Sequence, residues 1–463
     1  MHPYLIVIIG ILIVLGLIIF LRINAFIALI SAALVVSFLA PGPIQEKVSR
    51  VAVAFGDSAG KIGLVIAFAA VIGEAMMLSG AADRIVHAFL RLLGAKRASL
   101  ALMSSGFILS VPVFFDTVFY LLVPLARSLY RTTRKNYLLY VCAIAAGGAI
   151  THTLVPPTPG PLAMAANLNI SVGLMMAVGL LVATPAALVA FLVAQWMDQN
   201  ISIEKLPTFT DEESSDEAMA QRQQEISRVP LIEALLPVLL PVILISGDTV
   251  VGALIKEESP QQILVDIKQF TEVLGNPSLA LLLSMVLSIV TWVRLKHPNA
   301  KVFTSAVENA LLSGGLVILI TAAGGAFGAM LKATDVAPTI QKAFGGTGAT
   351  GLIALLLGFG LATVLKIAQG SSTTAMITVS GMMAAMELTK EKLGFNPVYL
   401  ATSIGAGSLI GSWMNDSGFW IFSRMSGLSE AEALKTWTPL LVVLGLVSLA
   451  TTILLSIVLP LNG

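Results

Sequence analysis

The chain has 463 residues, of which 57% are hydrophobic and only 11% charged, with a mean hydropathy of +0.92. Soluble domains carry about 25% charged residues, so there is too little charge here to cover a water-facing surface, and lipid is the natural solvent of the exterior. The net charge of +1, without a basic patch interleaved with aromatics, gives nucleic acid no footing, and the single Cys142 excludes an internal disulfide.

Two uncharged apolar runs open the chain, Tyr4 to Leu21 and Ile23 to Ala40, and a third, Leu440 to Leu461, closes it. Each is long enough to cross a hydrocarbon core of about 30 Å at about 1.5 Å per residue. The first run lacks a basic leading region and reads as a retained span, not a cleaved signal peptide. Glu74 follows, in Gly73-Glu74-Ala75-Met76, as an ionisable group within an apolar stretch.

Four later segments are too polar or too rich in proline and glycine for ordinary spans, although apolar sequence flanks them. They are Val111 to Thr117, Thr151 to Pro161, Lys366 to Thr374 and Trp413 to Gly418. Proline removes a backbone donor and disrupts the preceding turn. The run Pro156-Pro157-Thr158-Pro159 therefore cannot continue a helix through lipid. Broken backbone at that depth is tolerated only when buried in protein or lining a wet cavity. Asp116, between Phe114-Phe115 and Val118-Phe119-Tyr120, is a carboxylate far from other charges, and such a group is a functional candidate. Lys366 reads either as a site cation or as a side chain that snorkels to the headgroups.

Asp198 to Arg228 is polar and acidic and divides the hydrophobic mass. The expected organisation is a first membrane repeat over 1–197, a linker over 198–229 and a second repeat over 230–463. A smaller polar loop is expected from Lys256 to Asn276, between spans at Pro230–Val251 and Pro277–Val293. The basic clusters Arg127, Arg131, Arg134, Lys135 and Arg294, Lys296, Lys301 favour the cytoplasmic side. The halves align residue by residue. Ala59-Gly60-Lys61-Ile62 matches Ser313-Gly314-Gly315-Leu316, Gly106-Phe107 matches Gly358-Phe359, and Ile144-Ala145-Ala146-Gly147 matches Ile404-Gly405-Ala406-Gly407. The first broken segment then falls beside the third and the second on the fourth. Duplication with broken helices is the pattern of secondary transporters, whose sites lie where the halves meet.

Phe114-Phe115-Asp116, the stretch from His152 to Pro161, Ala368-Gln369-Gly370-Ser371 and Asn415-Asp416-Ser417-Gly418-Phe419-Trp420 resemble the gluconate permease (gluconate:proton symporter, GntP) family, itself similar to the wider ion-transporter superfamily. The resemblance runs over nearly the whole chain. It implies an all-α polytopic membrane protein of two inverted repeats with re-entrant hairpins and broken helices, roughly 10–12 spans in all. It also implies a scaffold with a mobile, elevator-like transport domain, a homodimer and a place in the cytoplasmic membrane. Family substrates include gluconate, other sugar acids and, in some members, D-serine. Three positions depart from the relatives' usual pattern: Thr158 stands for His, Asp116 for Glu and Lys366 for Arg.

The expectation is therefore proton-coupled symport of a small hydroxylated monocarboxylate, without cofactor or metal. The substrate carboxylate is expected on half-helix N-termini around Ser371, Ser372 and Thr373 and around Thr151 to Thr153. Asn415, Thr158, Thr117, Gln369, Lys366 and Ser417 are expected to complete the binding set. Asp116 or Asp416 is expected to take the proton, with His152 and Glu74 as further candidates. Sodium coupling, or another small acid such as lactate or D-serine, stays open. An intramembrane enzyme using Asp116 and Asp416 is the remote alternative, and the chain has no His-Glu-x-x-His or Gly-x-Gly-Asp signature.

Overall fold

A computed structural model describes residues 3–17, 21, 23–133, 135–203, 229–254, 262–334, 350–414 and 416–461. Among them every regular element is helical. Seven helices are long and apolar enough to cross a membrane, and five shorter apolar helices accompany them. The chain is thus a multi-pass membrane protein of the expected all-α class.

The first half runs α1 (Pro3–Leu15), α2 (Ala25–Leu39), α3 (Ser49–Ser79), α4 (Ala81–Leu93), α5 (Ala98–Leu109), α6 (Phe115–Thr133), α7 (Tyr137–Leu154), α8 (Pro159–Asn167) and α9 (Val172–Asn200). The second runs α10 (Leu231–Leu254), α11 (Gln262–Leu274), α12 (Pro277–Lys296), α13 (Ala300–Lys332), α14 (Thr350–Gln369), α15 (Ser372–Ala384), the short α16 (Lys390–Leu393), α17 (Val398–Gly407), α18 (Ser417–Ser426) and α19 (Glu430–Val458). Local chemistry sets many of these ends. Asn276 accepts from the Ser278 and Leu279 amides with Pro277 at the first helical position of α12. Ser429 and Glu432 form a capping box on α19. Gly80 ends α3 at φ +79°, a left-handed conformation that glycine adopts without a Cβ penalty.

Two differences from the sequence reading concern the polar connections. The stretch expected as a loop from Lys256 to Asn276 contains α11, which Lys268 ties to α10 through a 2.6 Å ion pair with Asp248. Asp198 and Asn200 complete the last turn of α9, where the Asp198 carboxylate accepts from the Leu139 amide at 3.0 Å. The centre of the expected linker, 204–228, lies outside the described residues.

The halves repeat the same breaks. The helix pair α5–α6 is interrupted at 110–114 and α14–α15 at 370–371; α7–α8 is interrupted at 155–158 and α17–α18 at 408–416. Packing repeats too. α3 lies on α12 and α13, and α13 lies on α2 and α3. α5 packs on α7 as α14 packs on α17, and α9 and α19 meet across the halves. The aligned glycines are the close-approach points. A Cβ on Gly147 would stand 2.2 Å from the Met103 carbonyl, and one on Gly407 2.2 Å from the Phe359 carbonyl. The half-helices cross-pack between halves, α8 on α15 and α6 on α18, which brings all four breaks toward one place.

Candidate functional site

A cavity of about 390 Å³ lies among the breaks. That is within the roughly 300–1,000 Å³ of small-molecule sites. Its polar lining comes from Asp116 on α6, His152 and Thr153 on α7, Lys366 on α14, Ser371 to Thr374 at the start of α15, and Asp416 and Ser417 at the start of α18. Phe114, Phe115, Trp437 and, from α13, Leu316, Val317 and Ile320 supply apolar wall. The α15 N-terminus opens directly on the cavity. Ser371 caps it, its Oγ accepting from the Thr374 amide at 3.2 Å and from the Thr374 hydroxyl at 3.0 Å. Among the described residues the amides of Ser372 and Thr373 have no acceptor, as expected of the first turn of a helix. The Ser372 hydroxyl donates to the Ser408 carbonyl at 2.7 Å, joining this break to the next one.

Lys366 does not snorkel. Its ammonium is buried, 2.6 Å from Asp416 Oδ2, and donates to the Gly370 carbonyl at 2.6 Å. Asp416 caps α18, accepting from the Gly418 amide at 2.9 Å, and also accepts from the Ser412 hydroxyl. Ser412 is held by the Trp437 indole N–H at 2.6 Å, and its carbonyl by the Thr438 hydroxyl at 2.6 Å. Asp116, in contrast, has no cationic partner among the described residues. His152 stacks edge-on against Phe114, ring centroids 6.0 Å apart, and its Nδ1 has no hydrogen-bond partner there.

Other expected site residues are placed differently. Thr151 and Thr153 lie in the last turn of α7, at the C-terminal, partially negative end, so they do not form the expected half-helix N-terminus. Thr151 is fully buried off the cavity, and the Thr153 hydroxyl donates to the Ala149 carbonyl at 2.8 Å. Thr158 donates to the Val155 carbonyl at 2.6 Å and borders a separate small void with Pro112 and Val113. Thr117 and Glu74 are not part of the cavity wall, Glu74 being half-buried on α3. Gln369 ends α14, its side chain outside what is described, and Asn415 lies outside the described residues. The structure adds Trp437 and Ser412, which no sequence motif marked. Gly56-Asp57-Ser58-Ala59-Gly60 matches a Gly-x-Ser-x-Gly pattern, but it lies within the continuous helix α3. The strand-to-helix elbow that exposes a nucleophilic serine is therefore lacking.

The model of the GntP family permease matches residues 2–458. The chain belongs to the GntP permease family. It is a membrane transporter and not an enzyme. Among the relatives of this permease, an uncharacterized permease of Haemophilus influenzae is 31% identical, over 92% of this chain and 87% of its own. The gluconate permease of Bacillus subtilis is 28% identical over 98% and 100%, and the Gnt-II system L-idonate transporter of Escherichia coli is 28% identical over 99% and 100%. Two solved structures are similar in fold at 14% identity. The YdaH transporter of Alcanivorax borkumensis has a TM-score of 0.61 over the whole of both chains. MtrF of Neisseria gonorrhoeae has 0.59 over 92% of this chain and 93% of its own.

Proposed function

We propose that the chain carries a small hydroxylated monocarboxylate, gluconate or a related sugar acid, together with a proton. The observation that carries this reading is the cavity itself. Among the described residues, a half-helix N-terminus whose Ser372 and Thr373 amides have no acceptor opens onto a space of about 390 Å³ that also holds a carboxylate without a cationic partner, Asp116. Such a terminus takes an anionic group through its N–H donors and its dipole. The hydroxyls of Ser371 and Thr373, the Ser417 hydroxyl and the His152 ring suit a polyhydroxylated chain. The names of the gluconate and L-idonate relatives support the same substrate class.

Asp116 is the proton carrier in this scheme, because Lys366 meets the charge of Asp416 while Asp116 faces the cavity with no cationic partner among the described residues. The test is gluconate uptake into proteoliposomes under an imposed pH gradient, compared with a sodium gradient at fixed pH. The expected result is accumulation driven by the inward proton gradient and lost in Asp116→Asn. Uptake that follows sodium alone, or an Asp116→Asn protein with undiminished proton-driven accumulation, refutes the scheme.

A further inference from the structure

The proton scheme leaves one device in the cavity wall unused, the ion pair of Lys366 and Asp416. Both residues line the cavity, with side chains only 2% and 10% exposed. Every strong donor around the pair is directed inward. Lys366 serves Asp416 and the Gly370 carbonyl; Ser412 and the Gly418 amide serve Asp416; Trp437 fixes Ser412. The other titratable groups in the cavity lining are Asp116 and His152, and the α13 face contributes only Leu316, Val317 and Ile320. Because Asp416 lies on the ammonium, the one lining cation adds no net charge to the space. Attraction for an anion is left to the α15 terminus, equivalent to roughly half an elementary charge. That suits one carboxylate and leaves no counter-charge for a second.

We propose that Asp416 is a specificity-determining residue, an internal anion that occupies the position on Lys366 which a second substrate carboxylate would take and so restricts the site to monoanions. The inference rests on the sugar-acid reading above. A purely structural strut would, when broken, lower stability and the transport of all substrates together. A charge filter changes the ratio between substrates, because removing the Asp416 charge turns repulsion of a second carboxylate into attraction by an uncovered ammonium.

The experiment is inhibition of gluconate uptake in proteoliposomes of the full chain by glucarate, which carries a carboxylate at both ends, and by its monomethyl ester, a monoanion of nearly the same shape. In the native protein the ester is expected to compete at least about tenfold better than the diacid. In Asp416→Asn the preference is expected to move at least about tenfold toward the diacid, and in Lys366→Met with Asp416→Asn to return to within about threefold of native. Equal competition by diacid and ester in the native protein overturns the proposal, and this arm needs no variant to fold. So does an unshifted ratio in Asp416→Asn that still takes up gluconate. A native protein that takes up neither gluconate nor glucarate overturns the sugar-acid reading itself, a result distinct from gluconate uptake with an unshifted ratio.

Discussion

Gly147→Ala is expected to destabilise the permease although alanine is the better helix former. The new Cβ would stand 2.2 Å from the Met103 carbonyl oxygen and 3.0 Å from the Phe107 amide, both backbone atoms of α5 that no rotamer change can move. Ordinary contact begins at 3.4 Å, so opening from 2.2 to 3.4 Å separates α5 from α7 by about 1.2 Å. Overpacking of this kind costs about 1–3 kcal/mol. The gain from replacing a helical glycine is about 0.5–1 kcal/mol. The net expectation is a loss of up to about 2.5 kcal/mol, centred near about 1 kcal/mol, read from denaturant midpoints in mixed micelles. Uptake should fall as well, because α7 carries His152 and Thr153 about one and a half turns beyond the contact. Gly407→Ala, whose Cβ would stand 2.2 Å from the Phe359 carbonyl, should behave alike. Gly60→Ala and Gly315→Ala have nothing within 4 Å and should be neutral or stabilising by up to about 1 kcal/mol. A Gly147→Ala protein at least as stable as Gly315→Ala would refute the close packing of the halves' matched helices.

Three further outcomes follow from the site and its surroundings. Lys366→Met leaves a buried carboxylate without its cation and should cost about 3–5 kcal/mol, most of it recovered by adding Asp416→Asn, as measured by unfolding of the purified variants. Ser371→Ala removes the α15 cap and should cost about 0.5–2 kcal/mol with a raised KM for gluconate, whereas Ser371→Gly should cost only a few tenths. At the exposed edge, the hydrogen bond and charge of Lys332, 2.9 Å away, hold the Glu387 carboxyl below its ordinary value. A depressed carboxylate stabilises above its unfolded pKa and loses that contribution as pH falls through its folded one. Glu387→Gln should therefore cost less than about 1 kcal/mol at neutral pH, and the difference from native should vanish in acid; an equal difference at both pH values would exclude the pair as its source.

The broken segments were legible in the sequence because proline and clustered hydroxyl residues cannot cross lipid as plain helix. Asp116, Lys366 and Asp416 stood out because charge is rare there. What the residues do to one another was not legible. Lys366 and Asp416 are separated by fifty positions, and no periodicity links them. Trp437 sits between Thr436 and Thr438 ahead of the closing apolar run, and its indole partner, Ser412, lies in another segment. The orientation of Thr151 was hidden for a related reason. Nearly every residue of α7 is buried, so the helix has no polar face from which an inward side could be read. The polar stretch containing α11 read as loop because its support is the tertiary pair of Lys268 and Asp248, which composition does not reveal.

The two halves share their breaks but not their chemistry. In the second half, side chains stitch break to break: Lys366 to Asp416, Ser372 to the Ser408 carbonyl, and the Trp413 indole to the Ile367 carbonyl at 3.0 Å. In the first half, prolines at 112, 156, 157, 159 and 161 define the breaks instead; Thr153 and Thr158 bond only to carbonyls of their own segment, and Ser110 Oγ, Thr151 Oγ1 and His152 Nδ1 have no partner among the described residues. A proline needs no side-chain partner to hold an irregular backbone, since its ring fixes φ and removes a donor. The first half can therefore keep its breaks while leaving Asp116 and His152 uncommitted. The second half gives up its charges to one another and presents backbone amides instead. Proton exchange requires groups whose bonds are free to change, whereas anion selection requires charges that stay in place. In the proposed scheme, the division between the halves serves both demands within one cavity.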